Sequence, residues 1–305
     1  MTGHSGEIFA LLTAVCWTAS SQLFEDSSRR VGSLPVNLLR LPMAFLLLGL
    51  FNLLHRGLIL PTDASAHVWG WLLLSGFLGF ALGDLMLFKS YVLIGSRVAM
   101  LVQALSPVFA AMFGRIFLAE TLGFKSLAGM AVTLTGVALV ILTSSAGALE
   151  GNGSAARKLR FSHSPVGLLM AVGSSLCSSA GLVVSKYGMA GYDAFAATQI
   201  RLVAGMAGFT MLITLLGRWR HLGGAFRDRK AMASLSLGAV FGPFLGVSFC
   251  MLALQRTRTG IASTLMALVP VLIIPPAVLF YKEKVKAKEA LGALLAVGGA
   301  VLLFL

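Results

Sequence analysis

Charge is what this chain has least of. Charged residues make up 11% of its 305 positions, where a water-soluble domain carries about a quarter. With 57% hydrophobic residues and a mean hydropathy of +0.90, the chain belongs in lipid. Acidic residues are the scarcer sign: 11 Asp and Glu stand against 24 Lys and Arg, for a net charge of +13. In a soluble protein that balance would point to nucleic acid. Here the basic residues lie mostly between apolar runs and form no aromatic-basic face, so membrane topology accounts for them and no nucleic-acid partner is expected. Cysteine is also sparse. Cys16, Cys177 and Cys250 are odd in number and all lie inside apolar runs, which excludes a disulfide framework. His4, His55, His67, His163 and His221 show no zinc-ligand spacing, so no metal is expected. There is no G-x-x-x-x-G-K-[ST] to cradle a nucleotide, and no cofactor is implied. No Lys or Arg precedes the first apolar run. A cleaved signal peptide needs one, so the N-terminal stretch is expected to begin the first membrane helix.

What the chain does have is a long apolar run written twice. SRVAMLVQALSPVFAAMFGRIFLAE, residues 96–120, returns as TGIASTLMALVPVLIIPPAVLFYKE, residues 259–283. Ala104-Leu105, Pro107-Val108, Phe117 and Glu120 become Ala267-Leu268, Pro270-Val271, Phe280 and Glu283, every pair 163 positions apart. At the same offset Gly79, Gly83, Lys125, Gly129 and Gly136 become Gly242, Gly246, Lys288, Gly292 and Gly299. Nearer the N-terminus the offset is 161: Gly6, Cys16, Arg40 and Leu41 become Gly167, Cys177, Arg201 and Leu202. Shared apolar composition cannot hold polar and glycine positions in so constant a register.

Ten runs reach the ~20 residues that a helix needs to cross a bilayer. They cover roughly 7–25, 34–54, 68–90, 97–118, 124–143, 166–187, 194–216, 232–254, 259–281 and 287–305. All must be helical, because lipid offers a bare backbone no hydrogen-bond partner. The Gly-, Ser- and Ala-rich stretch 144–165 reads as a linker between a first repeat, 1–143, and a second, 166–305. Five helices per repeat is an odd number, so the second copy enters the membrane the other way round. The expected fold is therefore an all-α membrane protein of ten transmembrane helices in two inverted five-helix repeats. Inverted repeats are a signature of secondary transporters. Of the Lys and Arg, 16 fall on one side and 6 on the other. The positive-inside rule then puts both termini outside the cytoplasm.

Two five-helix copies, each with an Arg in its second helix and an A-L-x-P-V helix ending in Glu before a G-x(6)-G helix, resemble the EamA-type branch of the drug/metabolite transporter superfamily. The resemblance covers nearly the whole chain. It implies an inner-membrane permease with a central cavity between the repeats, often an exporter of amino acids or related metabolites. Asp84 and Lys89 have no counterpart in the second copy, which holds Val247 and Leu252 there.

Several residues stand out on physical grounds. Pro107 and Pro270 each remove a backbone donor and clash with the carbonyl four residues back, so they are expected to bend their helices. Pro275-Pro276 adds a second bend. Gly79-x-x-x-Gly83 and Gly242-x-x-x-Gly246, with Gly238 one turn earlier, permit close backbone approach, whether for static packing or for sliding. Arg40 and Arg201 are charges inside apolar runs, where one alone costs on the order of 3 kcal/mol or more. Glu120 and Glu283 close their spans. All four are duplicated and read as structural charges.

A substrate is not two-fold symmetric, so its contacts should fall where the repeats differ. Trp17, Gln22, Asp84 and Gln103 align with Ser178, Val183, Val247 and Met266. Gln103 and Ser106, three apart before Pro107, would share a helix face. Trp17, Gln22, Asp84, Gln103 and Ser106 are thus the candidate substrate cavity. Asp84 has two readings: a counter-ion to a cation such as Arg40 or Arg201, or a cavity carboxylate for a cationic group or a coupling proton. Lys89 lies about 140° off its face and is a poor partner. The function expected is secondary transport of small metabolites, in the plasma membrane and without enzymatic activity. The alternatives are a membrane-embedded enzyme or a non-transporting helical membrane protein.

Overall fold

The computed structural model describes residues 4–94, 96–147, 164–189, 191–217, 219, 222, 225–281 and 287–304. Most of the 144–165 linker and Glu283 lie outside the described residues. Every regular element among those described is helical. In chain order they are α1 (Ser5–Val31), α2 (Ser33–Arg56), α3 (Ala66–Gly76), a π-helical segment (Phe77–Gly83), α4 (Asp84–Ile94), α5 (Ser96–Gln103), α6 (Ser106–Phe117) and α7 (Phe124–Gly147). The second half runs α8 (Pro165–Met189), α9 (Ala194–Leu215), α10 (Arg229–Ala239), a second π-helical segment (Val240–Gly246), α11 (Val247–Arg256), α12 (Thr259–Met266), α13 (Val269–Leu272), α14 (Ile274–Tyr281) and α15 (Ala287–Leu302). Nine of the described stretches are long and apolar enough to span a bilayer. The tenth expected span is described as the 16-residue α15. Large apolar side chains such as Leu54 and Leu294 are left 80% and 72% exposed, as a lipid-facing surface requires.

The two π segments are themselves 163 positions apart, Phe77 with Val240 and Gly83 with Gly246. Glycine spacing had predicted close approach, and the structure adds a widened helical turn at the same place in both copies. Proline alone does not cause it: Pro243 sits inside the second segment, but its counterpart in the first is Phe80.

The chain packs as two compact units, one formed by Met1–Leu82 with Gly181–Thr257 and one by Gly83–Ala180 with Arg258–Leu305. Each unit draws on both halves of the sequence.

In the first unit, α2 and α9 form the apolar core. Leu41, its counterpart Leu202 and Leu48 are fully buried in it, and Phe209 is buried beside them. Two further helix pairs repeat one another. α1 lays Trp17, Ser20 and Phe24, spaced at one helical face, against Gly246, Gly242 and Gly238; a Cβ on these glycines would come within 2.7, 3.2 and 2.6 Å of those three side chains. The equivalent surface on α8 is Ser185 and Gly181 against Ser75 and Gly79. Ser75 donates to the Gly181 carbonyl at 2.7 Å and meets Ser185 hydroxyl to hydroxyl. The same crossing is thus filled by aromatic rings in one copy and by small hydrogen-bonded residues in the other.

In the second unit, α7 and α15 approach backbone to backbone. A Cβ on Gly136 would lie 2.5 Å from the Gly292 carbonyl, and one on Gly129 would lie 3.0 Å from the Gly299 carbonyl. Gly129 corresponds to Gly292 and Gly136 to Gly299, so each residue meets the partner of the other. The pairing runs in opposite directions along the two helices.

Candidate functional site

Pro107 and Pro270 stand at breaks, where a bend was expected. α5 stops at Gln103 and α6 restarts at Ser106 with Pro107 in its first turn; α12 stops at Met266 and α13 restarts at Val269 with Pro270 in its first turn. A proline is tolerated in the first turn because that N–H lacks an intrahelical partner anyway. Ala104-Leu105 and Ala267-Leu268 form the turns between, with Leu105 N–H bonded to the Val102 carbonyl and Leu268 N–H to the Leu265 carbonyl. Gln103 and Ser106 therefore flank the first of these turns, one on either side.

Serines of α8 line that break within the second unit. Ser175 Oγ lies 3.0 Å from both the Val102 carbonyl and Gln103 Oε1. One hydroxyl proton cannot serve both fully, and the amide can turn to donate instead. Ser179 donates to the Ser106 carbonyl at 2.8 Å. Ser106 Oγ is buried and has no hydrogen-bond partner among the described residues. Such an atom leaves about 1–3 kcal/mol of hydrogen bonding unmade, and a solute group can supply it. Asp84 opens α4 directly after the first π segment and is half-buried. Beside it, Ser174 donates to the Gly83 carbonyl at 2.9 Å.

Trp17 and Gln22 belong to the first unit. Trp17 is half-buried, with one edge of its ring against Gly246. Gln22 is half-buried one turn further along α1. Arg40 places its guanidinium 5.4 Å from the Phe24 ring centre. Arg201 is 4% exposed; Nη1 points at Met251 Sδ at 3.3 Å and the guanidinium lies 5.1 Å from the Phe80 ring centre. Its Nε has no hydrogen-bond partner among the described residues.

Glu120 reaches back to the start of α12 and accepts from the Thr259 N–H at 2.8 Å and the Thr259 hydroxyl at 3.0 Å. That is a charge-assisted cap on a helix N-terminus. The turn that delivers it passes through Ala119 at φ 53°, which lets Glu120 N–H bond the Gly114 carbonyl.

Two polar groupings in the first unit had not been singled out. Asn52 and Gln199, 1% and 0% exposed, share a hydrogen bond of 2.9 Å, and Gln199 donates on to the Ile59 carbonyl. They align with Ile213 and Leu38. The criterion that a polar residue lacks an apolar-free echo finds both, and it finds Ser175, which aligns with Ala14. The second grouping sits at one end of the unit. Arg56 pairs with Asp63 and donates to the Tyr192 hydroxyl at 3.3 Å, which donates to Asp63 at 2.8 Å. Burial pushes the Tyr192 hydroxyl from 10.0 up to about 12, with Arg56 opposing and Asp63 adding to the rise. Glu7, Lys186 and Thr257 bond together at the same end of the helices. Among the described residues, no group of three His, Cys, Asp or Glu is placed to hold a metal.

Comparison with known proteins places the chain in context. A family model described as the EamA-like transporter family matches residues 4–142 and again 165–305. A solved crystal structure 18% identical in sequence superposes with a TM-score of 0.76, covering 98% of this chain and 96% of that one. That likeness speaks to the fold. No curated protein matches the sequence.

Proposed function

The chain belongs to the EamA-like transporter family, a multi-pass membrane transporter of the drug/metabolite type, and on that footing we propose that it is a secondary transporter exporting small metabolites such as amino acids. In this reading ten helices cross the inner membrane as two inverted five-helix repeats, residues 1–143 and 166–305. Solute passes along a central path between the repeats. The antiparallel, exchanged pairing of Gly129 with Gly299 and Gly136 with Gly292 supports the inversion. A two-fold axis along the membrane normal would pair the two helices in parallel, Gly129 beside Gly292.

The observation that carries the transport reading is the pair of broken helices. At these turns the regular helical ladder is interrupted inside an apolar span, and interrupted spans of this kind border the solute path in secondary transporters. At the first break Gln103, Ser106 and Ser175 present an amide and two hydroxyls. Asp84, Trp17 and Gln22 are proposed to complete the contacts to solute. Arg40, Glu120 and Glu283 serve the scaffold.

Transport by inside-out vesicles tests this. Vesicles carrying the protein, given a proton or sodium gradient and a panel of radiolabelled amino acids and related metabolites, should accumulate at least one solute several-fold above vesicles without it. Vesicles with Gln103→Ala and Ser175→Ala together, at equal folded amounts, should lose most of that signal. No accumulation of any panel member by folded wild-type protein would sink the reading.

A further inference from the structure

The repeat duplicates a cation in the sequence but does not duplicate the Asp84 carboxylate. Arg40 and Arg201 occupy equivalent positions in α2 and α9. Asp84 and Val247 occupy equivalent positions too, each the first residue after a π segment. Where the first copy has an acid the second has a buried valine.

The surroundings of Arg201 in the first unit contain no substitute. Of five N–H donors, one meets a thioether, a weak acceptor. Nε has no partner among the described residues. The flat face of the guanidinium is covered by Phe80 at 5.1 Å. Nη2 packs over Gly79, where an added Cβ would stand 3.4 Å from it. No carboxylate ion-pairs with Arg201 among the described residues. A guanidinium cannot shed its proton to escape burial, as a lysine can. A buried charge without its partner is a strong destabilisation, so a chain that keeps one supplies its partner from elsewhere.

We propose that Arg201 binds the carboxylate of the transported solute. This rests on the transporter reading, because a group buried to 4% exposure is reached only when the protein changes state. The chemistry selects the class of anion. The guanidinium fork matches the two oxygens of a carboxylate, and a single positive charge against a thioether and a ring balances one negative charge, not the two of a phosphate monoester. Phe80 and Met251 beside it favour a solute with an apolar part next to its carboxylate.

The test uses purified full-length protein in detergent and matched probes: propionate, L-alanine, L-leucine and L-phenylalanine, each against its amide. At about ten times Kd a carboxylate should raise the melting temperature of wild type by roughly 3–5 °C, and its amide should not. Arg201→Met should weaken that response roughly 10- to 100-fold, the worth of a charged hydrogen-bonded contact, and Arg201→Lys should keep part of it. Without probe, Arg201→Met should melt at or above the wild-type temperature, because it removes an uncompensated charge while keeping the volume. A carboxylate shift that survives intact in Arg201→Met overturns the proposal, and so does a wild type that none of the carboxylates shifts. Arg201→Met protein that melts lower or does not fold overturns it as well, since it would show that the fold itself depends on the charge. If a solute accumulates in vesicles while Arg201→Met transports it normally, the Arg201 site fails and the transporter reading stands. If nothing accumulates in wild-type vesicles, the transporter reading fails.

Discussion

At the scale of single residues, the cluster of Arg56, Asp63 and Tyr192 turns burial into a pH dependence. Tyr192 titrates near 10.0 in the unfolded chain and near 12 in the folded one. Below pH 10 both states hold the proton and the contribution is constant. Between 10 and 12 the unfolded chain releases it while the folded one keeps it, so the unfolded state binds fewer protons and stability falls as pH rises. Melting temperatures taken from pH 8 to 11 should decline more steeply at the alkaline end for wild type than for Tyr192→Phe. Parallel curves would mean the hydroxyl is not held as described. The same scale shows what could and could not be read from residue types. Duplicated Arg40 and Arg201 invited one shared role. Their difference lies in what surrounds them, the Phe24 ring at Arg40 and the Phe80 ring with Met251 at Arg201, and a single residue does not announce its neighbours.

At the scale of elements, the glycines divide into those that set a helix crossing and those that do not. Gly298 and Gly299 are adjacent in α15. A Cβ on Gly299 would meet the Thr133 N–H at 2.4 Å and the Gly129 carbonyl at 2.8 Å, whereas nothing lies within 4 Å of one on Gly298. Gly299→Ala should therefore cost about 1–3 kcal/mol by forcing α7 and α15 apart. Gly298→Ala should be neutral or stabilise by up to ~1 kcal/mol through helix propensity. Thermal unfolding of the two variants checks this, and equal effects would refute the seam. The constant offset of Gly129, Gly136, Gly292 and Gly299 was legible in the sequence as a repeat, but the seam was not, because register between two copies does not say which helices meet. The π segments were not legible. Glycine spacing encodes how near two backbones come, not how many residues a turn contains. The breaks at Gln103–Ser106 and Met266–Val269 were half legible: proline marks the place, but whether it bends a helix or restarts one depends on whether the preceding turn finds other partners. Ser175 and Ser179 supply those partners at the first break, and a serine inside an apolar run carries no periodic signal of its own.

At the scale of the whole molecule, charge decides orientation. Helix packing is indifferent to which face of the membrane is which, so the 16-to-6 division of Lys and Arg acts alone. A reporter fused to the C-terminus and active only in the cytoplasm should be silent, and a bright one would reverse the orientation without touching the fold. The charge bias and the repeat offset are both sums over many residues and tolerate errors at any one.

The division into units bears on how the protein is made. The first unit joins Met1–Leu82 to Gly181–Thr257, so a ribosome adding about 5–20 residues per second leaves α1, α2 and α3 in the bilayer for roughly 5–20 s before the first of their partners is made. During that interval Trp17 and Phe24 have no glycine groove to enter, Ser75 has no acceptor across the helix pair, and Asn52 has no Gln199. Lipid can cover the rings but not the amide or the hydroxyl. The nascent first half is consequently the form of this chain most exposed to quality-control proteases and most dependent on the insertion machinery for shelter.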